Sequence, residues 1–494
     1  MKLLSPREER VERPTAAASD RADVIVVGGG NAALVAAISA REQGCSVLLL
    51  ERAAENDRGG NTRHTRNIRC AHTTGDRFSA GEYRHEELWR DLCGVGTGPT
   101  NERLASLTVQ RSEELPAWMS RHGISWQAPL KGTLQLGRTN RFFLGGGKAL
   151  LNRYFQTAAS IGVRIEYESY VEGLCIEERN CSGVQVRRAD GSVRVLGAAA
   201  VICASGGYES NLGWLERYWG EAVRNFHVRG PRHNDGRVLE ALYDAGACSA
   251  GEERGFHAVA VDARSPRFDG GIATRIDAIP LGIVVNQRGL RFYDEGEDLW
   301  PKRYAIWGRL LAEQDAQIGY CLWDAKVHGT FLPPLYGALT ATSIEELGVR
   351  LGLDPAVIST TVGAYNRSIP QDRVVDRARL DGCSTSGVNP PKSNWAQRLD
   401  TPPYYGIPLH PGITFTYRGV AVNDGAHVVR TDGEPFHNLF AAGEIMSGNI
   451  LSTGYLAGFG MTIGTVWGRI AGDHAGRYAA ARAVRGGSSA AQHL

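Results

Sequence analysis

The chain has 494 residues, a formal net charge of +2 and 43% hydrophobic residues. This near-neutral balance argues against nucleic acid as a partner, because binding a phosphate backbone requires a basic domain. The nine cysteines include no CxxC pair, so the usual spacing of a zinc site or an iron–sulfur cluster is missing and we expect no metal site. Their scattered positions fit reduced thiols in the cytoplasm.

The first twenty residues are charged and lack the apolar core of a secretory signal, so we interpret them as a tail. The folded chain then begins with the apolar run "DVIVV" (23–27), which has the composition of a buried parallel strand. A helical pattern follows over 31–44, and "CSVLLLE" (45–51) returns to a strand. The order is that of a βαβ unit.

The turn between the first strand and the helix carries a GxGxxA fingerprint. Gly28 permits the tight turn, Gly30 lets the backbone approach a pyrophosphate, and Ala33 allows close packing of helix on strand. The helix start at Asn31 offers free N–H groups to phosphate, and Glu51 can accept hydrogen bonds from a ribose. We predict dinucleotide binding, against the alternative of an ordinary turn between strand and helix.

A second glycine cluster, "RGGNTRH" (58–64), follows soon after the second strand. Gly59 and Gly60 would let the chain lie flat against a flavin, and Asn61 and Thr62 could hydrogen-bond its phosphates or ring. An NAD-binding domain has no need of this feature. The predicted cofactor is therefore FAD.

Strand patterns with turn dipeptides continue to about residue 250, and an irregular, proline-rich region covers 251–415. Short strands then return, followed by a long glycine-containing helix over 460–483. A domain interrupted by an insertion explains this order most simply. The predicted boundaries are a disordered tail (1–20), a first part of the cofactor domain (21–250), the insertion (251–415), a second part (416–480) and a disordered tail (481–494).

Several segments resemble the fumarate reductase/succinate dehydrogenase flavoprotein family in sequence and in order: "VVGGGNAALVAA", "RGGNTRHTRN", "CASGGYE" and "NLFAAGE". "RFYDEGEDLWPKRYAIWGR" and "PGITFTYRGVAV" are most similar to its tricarballylate dehydrogenase branch. The resemblance implies an α/β fold, with a Rossmann-like FAD domain of the glutathione-reductase type interrupted by a smaller α+β capping domain. It also implies hydride transfer between flavin N5 and a CH–CH bond next to a carboxylate.

Asn61 stands about where flavinylated members of the family carry their linking histidine, so we expect non-covalent, dissociable FAD. Glu444 resembles the family acid that binds the ribityl chain, whereas Asp235 could instead be a turn residue only. The predicted FAD-binding residues are Gly28, Gly30, Asn31, Ala32, Ala33, Glu51, Arg52, Gly59, Gly60, Asn61, Thr62, Ala204, Ser205, Gly206, Asp235, Gly443, Glu444, Gly460 and Met461.

For catalysis, the resemblance places His257 at the position of a histidine that binds a substrate carboxylate. Arg303 lies near the position of the family's catalytic arginine, with Lys302 as a rival because extra residues blur the register. Two positions depart from the family. The "TFT" segment has Phe415 in place of a histidine and keeps Thr416, which we assign to substrate binding, and Tyr455 replaces a carboxylate-binding arginine.

Positive charge gathers just beyond the second glycine cluster, in Arg63, His64, Arg66 and Arg69. Arginine pairs bidentately with carboxylates, so this stretch could replace the missing contacts for a substrate with several carboxylates. We expect at least one of these arginines to bind substrate. The alternative is pairing with FAD phosphates or local acids. In an extended stretch, Arg63 could not share a face with both His64 and Arg66.

The predicted reaction is dehydrogenation of a small polycarboxylate, with tricarballylate to aconitate as the best single choice and Arg303 exchanging the proton. Because arginine stays protonated in nearly all proteins, such a base needs a relay; Asp294, Glu295 and Asp298 remain unranked for that role. Without haem or iron–sulfur spacing, we expect a separate electron-transfer protein. The resemblance to the tricarballylate branch implies a membrane-bound partner, which would bring a cytoplasmic enzyme to the inner face of the membrane.

Three alternatives stay open. A ketosteroid-type or other ring-ketone dehydrogenase would use Tyr455 to polarise a carbonyl, although an arginine-rich stretch does not suit an apolar pocket. A fumarate reductase-like enzyme would run the reaction in reverse. A non-catalytic flavin subunit for electron transfer is the alternative outside enzymes, and the presence of both His257 and Arg303 argues against it.

Overall fold

The structure is a computed structural model that describes residues 20–129, 136–370 and 374–490. Nearly all of the predicted N-terminal tail and the last four residues lie outside the described ranges. Within those ranges the strands are β1 (Arg21–Val27), β2 (Val47–Leu50), β3 (Asn67–Arg69), β4 (Trp126–Gln127), β5 (Asn140–Phe143), β6 (Arg164–Glu166), β7 (Ser169–Glu177), β8 (Asn180–Arg188), β9 (Val193–Cys203), β10 (His227–Val228), β11 (Ser249–Ala250), β12 (Phe256–Asp262), β13 (Ile283–Asn286), β14 (Gly319–Asp324), β15 (Leu339–Ala341), β16 (Tyr404–Thr416), β17 (Gly419–Val420), β18 (His427–Val429) and β19 (Pro435–Ala441).

The helices of the same ranges are α1 (Asn31–Glu42), α2 (His85–Gly94), α3 (Glu102–Arg111), α4 (Leu115–Arg121), α5 (Leu136–Thr139), α6 (Gly146–Ser160), α7 (Leu212–Trp219), α8 (Arg237–Asp244), α9 (Trp300–Arg303), α10 (Trp307–Ala312), α11 (Ile344–Leu351), α12 (Pro355–Arg367) and α13 (Phe459–Ala490). They include three that follow one another without an intervening strand, α2 to α4, and two later pairs, α9 with α10 and α11 with α12. None of the described helices combines the length and apolar character needed to cross a bilayer.

A largely parallel sheet has the strand order β18-β19-β9-β1-β2-β6, with the β7–β8 hairpin extending from β9. β1 pairs in parallel with both β2 and β9, and β9 pairs in parallel with β19. This confirms the predicted βαβ unit and α/β class. The carboxyl ends of parallel strands meet at one edge of the sheet, so the turns after β1, β2, β9 and β19 come together there.

A second sheet is built on the long strand β16, in the order β10-β16-β14-β13, with β12 and β15 also paired to β16. β12 and β16 are antiparallel, and His257 at the start of β12 lies opposite Phe415 near the end of β16. The end of β16 thereby carries residues of the second sheet to the carboxyl edge of the first. The domain boundaries predicted from the sequence stay a prediction.

Two local predictions were wrong. Residues 60–64 form a 3₁₀ turn and not an extended stretch, because Gly59 and Gly60 both adopt positive φ. Extended backbone therefore begins only at Thr65, after this turn. Helix α13 continues across 481–490, where we predicted a disordered segment. The run "YAAARA" (478–483), which leads into this segment, is rich in alanine, and alanine has the highest helix propensity.

Helix α13 packs closely along α1 through glycines spaced four residues apart. A Cβ added at Gly468 would lie 2.6 Å from the carbonyl oxygen of Ala32, and one at Gly472 would lie 2.4 Å from that of Ala36. These atoms belong to the backbone and cannot rotate away. The spacing therefore lets the two helices approach closely, which holds α1 against the sheet.

We predict that Gly472→Ala lowers the free energy of unfolding by about 1–3 kcal/mol, because the added methyl group forces the helices apart. Thermal or urea unfolding of the FAD-loaded protein measures the loss. Gly94→Ala is the matched control, since its Cβ meets no atom within 4 Å at the exposed end of α2. Equal unfolding free energies for both variants would contradict close packing of α1 on α13.

Candidate active site

One cavity runs from the carboxyl edge of the first sheet to the end of β16, and we call it the central cavity. Most of the predicted site residues line it: Gly28, Gly30, Asn31, Ala32, Glu51, Arg52, Gly60, Asn61, Thr62, His64, Arg66, Ala204, Ser205, Gly206, Asp235, His257, Gly443, Glu444, Tyr455, Gly460 and Met461. Five other predicted residues do not line it, namely Ala33, Gly59, Arg63, Arg303 and Thr416.

One end of the cavity is formed by the glycine-containing fingerprint turn after β1 and by the first turn of α1, which follows it directly. Gly28 has a φ of 117°, and a Cβ there would lie 2.3 Å from the carbonyl oxygen of Ala204. Gly30 caps α1 without a side-chain hydrogen bond, and the N–H of Asn31 donates to Oγ1 of Thr62 at 3.0 Å. The remaining first-turn N–H groups suit a phosphate.

Glu51 is buried at the end of β2, and its carboxylate accepts the backbone N–H groups of Ala53 at 2.8 Å and Gly59 at 3.2 Å. Burial raises its pKa. Arg52 forms an ion pair with Asp235 at 2.6 Å, so Asp235 does more than complete a turn. The hydrogen bonds to Glu51 and the Arg52–Asp235 ion pair fix the part of the cavity wall where a ribose would bind.

Deeper in the cavity, the Asn61 amide group has a fixed orientation. Its Nδ2 donates to Glu209 Oε1 at 2.7 Å, to the Thr414 carbonyl at 2.8 Å and to Glu444 Oε2 at 3.2 Å. Its Oδ1 is buried without a hydrogen-bond partner. A buried acceptor of this kind needs a donor from a bound molecule. Together with the uncapped helix and Glu51, this orphan oxygen fits FAD, which offers phosphates, a ribose and a ring N–H.

The wall of the cavity facing the second sheet carries three arginines, Arg66, Arg229 and Arg275, and one carboxylate, Asp277, stands behind Arg275. Nε and Nη2 of Arg275 lie 2.7 Å from the two carboxylate oxygens of Asp277. Burial by itself would lower the pKa of Arg275, but Asp277 outweighs it and the pKa is raised. Arg275 therefore stays charged. We call these four residues the arginine wall.

Neither Arg66 nor Arg229 forms an ion pair with a described carboxylate. Burial, followed by the charge of Arg275, lowers the pKa of each guanidinium to about 10. Nε of Arg66 is buried without a partner, whereas Nε and Nη1 of Arg229 donate to the Gly271 carbonyl and Thr414 Oγ1. Two positive charges thus face the cavity uncompensated, which suits an anionic ligand.

His257 stacks on Tyr455 with 4.1 Å between ring centroids, and Tyr304 and Phe415 pack edge-on against it. Both ring nitrogens of His257 are buried without a partner. Burial, reinforced by Arg229 and Arg275, holds its pKa well below the usual value, so the ring is neutral and can donate one hydrogen bond. The Tyr455 hydroxyl accepts the N–H of Gly460 at 2.9 Å.

The placement of Arg303 argues against the catalytic role predicted from the sequence. Its Nη2 pairs with Glu297 at 3.1 Å, and the rival Lys302 pairs with Asp91 at 2.7 Å. Within α9 only Trp300 reaches the arginine wall, where its Nε1 donates to Asp277 at 2.7 Å. Arg303 does not line the central cavity, and its catalytic role stays a prediction.

The three predicted relay residues also lie off the central cavity. Asp294 accepts the N–H of Ser393, Asp298 accepts that of Leu299, and Glu295 pairs with Arg291 at 2.6 Å. Each carboxylate therefore has a local structural partner.

Of the basic stretch after the second glycine cluster, Arg66 and His64 reach the cavity. Arg63 turns back to Asp57, and Arg69 is buried against Tyr83, to whose hydroxyl it donates at 2.7 Å. His64 pairs with Asp269 at 2.9 Å. The 3₁₀ turn separates Arg63 from Arg66, so one arginine of the stretch faces the site.

The last predicted substrate residue, Thr416, is buried, and its Oγ1 accepts the N–H of Tyr208 at 3.3 Å.

Four residues of the site were not predicted from the sequence, namely Arg229, Arg275, Tyr304 and Glu209. Arg229 precedes a glycine, which is a weak signal. Arg275 lies in a loop segment with no periodic pattern.

The FAD binding domain family matches residues 23–459 of the chain. Among curated relatives, NADH:fumarate oxidoreductase of Klebsiella pneumoniae (strain 342) is 25% identical over 472 residues, which cover 92% of this chain and 48% of that protein. Fumarate reductase (cytochrome) of Shewanella frigidimarina is 25% identical over 500 residues, covering 96% and 81%. The chain thus spans about half of the Klebsiella protein.

Two solved structures share the fold. The open conformation of a flavocytochrome c3 fumarate reductase has a TM-score of 0.72 at 22% identity, covering 93% of this chain and 79% of that chain. A 3-ketosteroid-delta4-(5alpha)-dehydrogenase from Rhodococcus jostii RHA1 has a TM-score of 0.71 at 22% identity, covering 96% and 100%. These findings confirm the predicted resemblance to the fumarate reductase flavoproteins. Because the family match extends over most of the chain, the protein belongs to the FAD binding domain family and its cofactor is FAD.

Proposed function

We propose that the protein is an FAD-dependent dehydrogenase that oxidises a CH–CH bond of a small polycarboxylate, with tricarballylate to aconitate as the best single reaction. The arginine wall is the observation that carries this proposal. When bound, FAD supplies the hydride acceptor. The protein's own residues hold the substrate's carboxylates beside it.

The charge on the wall favours a polyanion over an apolar substrate. Arg229 is buried and Arg66 is half-buried with its Nε enclosed, and neither has a carboxylate partner among the described residues, whereas Arg275 is already neutralised by Asp277. Carboxylates would pair with these guanidiniums in a site that excludes water, where charge-assisted hydrogen bonds are strong. A steroid would leave two cations desolvated and unpaired, which is costly.

During the reaction, the same residues would stabilise charge. A carboxylate held by the wall takes up negative charge as the proton on the neighbouring carbon leaves, and fixed cations lower the energy of that state without moving. Neutral His257 would orient a carboxylate with one hydrogen bond and add no charge. Proton exchange by an arginine, as the family resemblance implies, would fall to Arg66 or Arg229, since Asp277 keeps Arg275 protonated.

A ring-ketone dehydrogenase is the second candidate, and Tyr455 favours it. Its hydroxyl accepts a hydrogen bond from Gly460, and we find no acceptor for its own proton among the described residues. That proton could polarise a ketone. The relatives named fumarate reductases support a third reading, in which the protein reduces a C=C bond of a polycarboxylate.

Two further features of the proposed enzyme concern FAD itself. We propose that FAD is bound without a covalent link, since Asn61 has no nucleophile to offer, and that acid precipitation releases it. We also propose that a separate electron-transfer protein reoxidises it. The name of the Shewanella relative, Fumarate reductase (cytochrome), associates a reductase with a cytochrome. We propose a partner of that class for this protein.

Turnover should therefore be slow with oxygen as the only acceptor and faster with an artificial dye acceptor. Steady-state rates at one substrate concentration measure both. Equal rates with oxygen and dye would remove the need for a protein partner.

A panel of substrates tests the proposed function directly. Under anaerobic conditions, we expect tricarballylate to bleach the absorbance of bound FAD, and 4-androstene-3,17-dione to leave it unchanged. Bleaching by the steroid alone would replace our proposal with the ring-ketone reading. A protein whose FAD is reduced by dithionite but by no member of the panel would be an electron-transfer subunit.

The variant Arg66→Gln should weaken binding of tricarballylate by about 30-fold or more, because losing one partner of a buried charge pair costs about 2–5 kcal/mol. Stability should not fall, since the variant removes a half-buried cation that has no carboxylate partner among the described residues. Titration of the flavin spectrum measures affinity. Arg63→Gln is the matched control: it lies in the same segment but points to Asp57. A similar effect of both substitutions would contradict the assignment of Arg66.

A further inference from the structure

Two glutamates, Glu209 and Glu444, lie side by side behind Asn61, and the proposed reaction uses neither. Asn61 Nδ2 donates to both carboxyl groups. A Cβ added at Gly207 would lie 2.3 Å from Glu444 Oε1 and 3.0 Å from Glu209 Oε2, so the two groups crowd over the same glycine. Glu444 lines the central cavity, and Glu209 is fully buried behind it. We call these two residues the carboxyl pair.

The surroundings of the pair offer amides and no cation. Besides Asn61, Asn234 Nδ2 donates to Glu209 Oε1 at 2.5 Å and the N–H of Thr416 donates to Glu444 Oε1 at 3.0 Å. No described Lys, Arg or His lies within ion-pair distance of either carboxyl group. Glu209 Oε2 is buried without a partner.

Three neutral donors can stabilise one negative charge but not two in such a site. One oxygen, Glu209 Oε2, has no donor and faces the same glycine as Glu444 Oε1. A proton held between the two carboxyl groups would give Glu209 Oε2 the hydrogen bond that it lacks. Burial raises the pKa of Glu209, and burial together with Glu209 raises that of Glu444, as expected for a pair that titrates jointly.

We propose that Glu209 and Glu444 share one proton and take up a second proton from water when the bound FAD is reduced. A hydride brings two electrons and one proton and leaves one extra negative charge on the cofactor. The pair, by accepting one proton, loses its single negative charge. The buried site therefore has the same net charge before and after, which avoids the cost of burying a further anion. The proposal rests on the FAD cofactor and not on the polycarboxylate substrate.

Potentiometric titration of the FAD-loaded protein with a redox dye, repeated across its range of pH stability, counts protons per two electrons. We expect the native protein to take up one more proton than the double variant Glu209→Gln/Glu444→Gln, because neither glutamine can accept it. Glu253→Gln is the control, since Glu253 is exposed and paired with Arg418; it should match the native protein. The same proton count in the native protein and in the double variant would overturn the proposal.

A second measurement needs no variant, should the double variant fail to hold FAD. The infrared difference spectrum between reduced and oxidised native protein should gain the carbonyl band of a protonated carboxyl group, shifted in heavy water. A spectrum without such a band would overturn the proposal. Both measurements use a chemical reductant. Their outcome therefore does not depend on whether the proposed substrate is correct.

Discussion

Burial of cationic side chains without enough carboxylates is the constraint on which this account depends. A guanidinium removed from water costs free energy unless a partner replaces its hydration. Asp277 is that partner for Arg275, and the described residues hold no such partner for Arg66 or Arg229. In the function we propose, the carboxylates of the substrate supply this missing negative charge.

The fold places this wall where it can act. The parallel strands bring four turns to one edge of the first sheet, and these turns build the FAD cradle. The long strand β16 carries Thr414 and Phe415 from the second sheet to the same place. Arg229, which lies just after β10, donates to Thr414, so the position of the wall relative to the cofactor is set by main-chain pairing along β16. Close packing of α13 on α1 holds the phosphate-binding turn at the opposite end.

The FAD-binding turns could be predicted because the sequence features that mark them are local. A glycine at a turn with positive φ, an acid at a strand end and an uncapped helix start each depend on a few neighbouring residues, as Gly28 and Glu51 illustrate. The wall was not predictable in this way. Arg229 and Arg275 come from separate segments and meet only through the pairing of β10 and β12 with β16. Arg303 does not line the cavity, because sequence distance within a short helix does not determine which side chain reaches it.

The account can be tested by how binding depends on ligand charge. A series of three-carbon and five-carbon acids with one, two and three carboxylates, titrated against the flavin spectrum at constant ionic strength, gives a dissociation constant for each. We predict that affinity rises by about tenfold or more with each added carboxylate, since each new pair with a buried guanidinium contributes at least about 1.4 kcal/mol. Affinity that stays level along the series, or is greatest for an uncharged ester, would contradict the central claim.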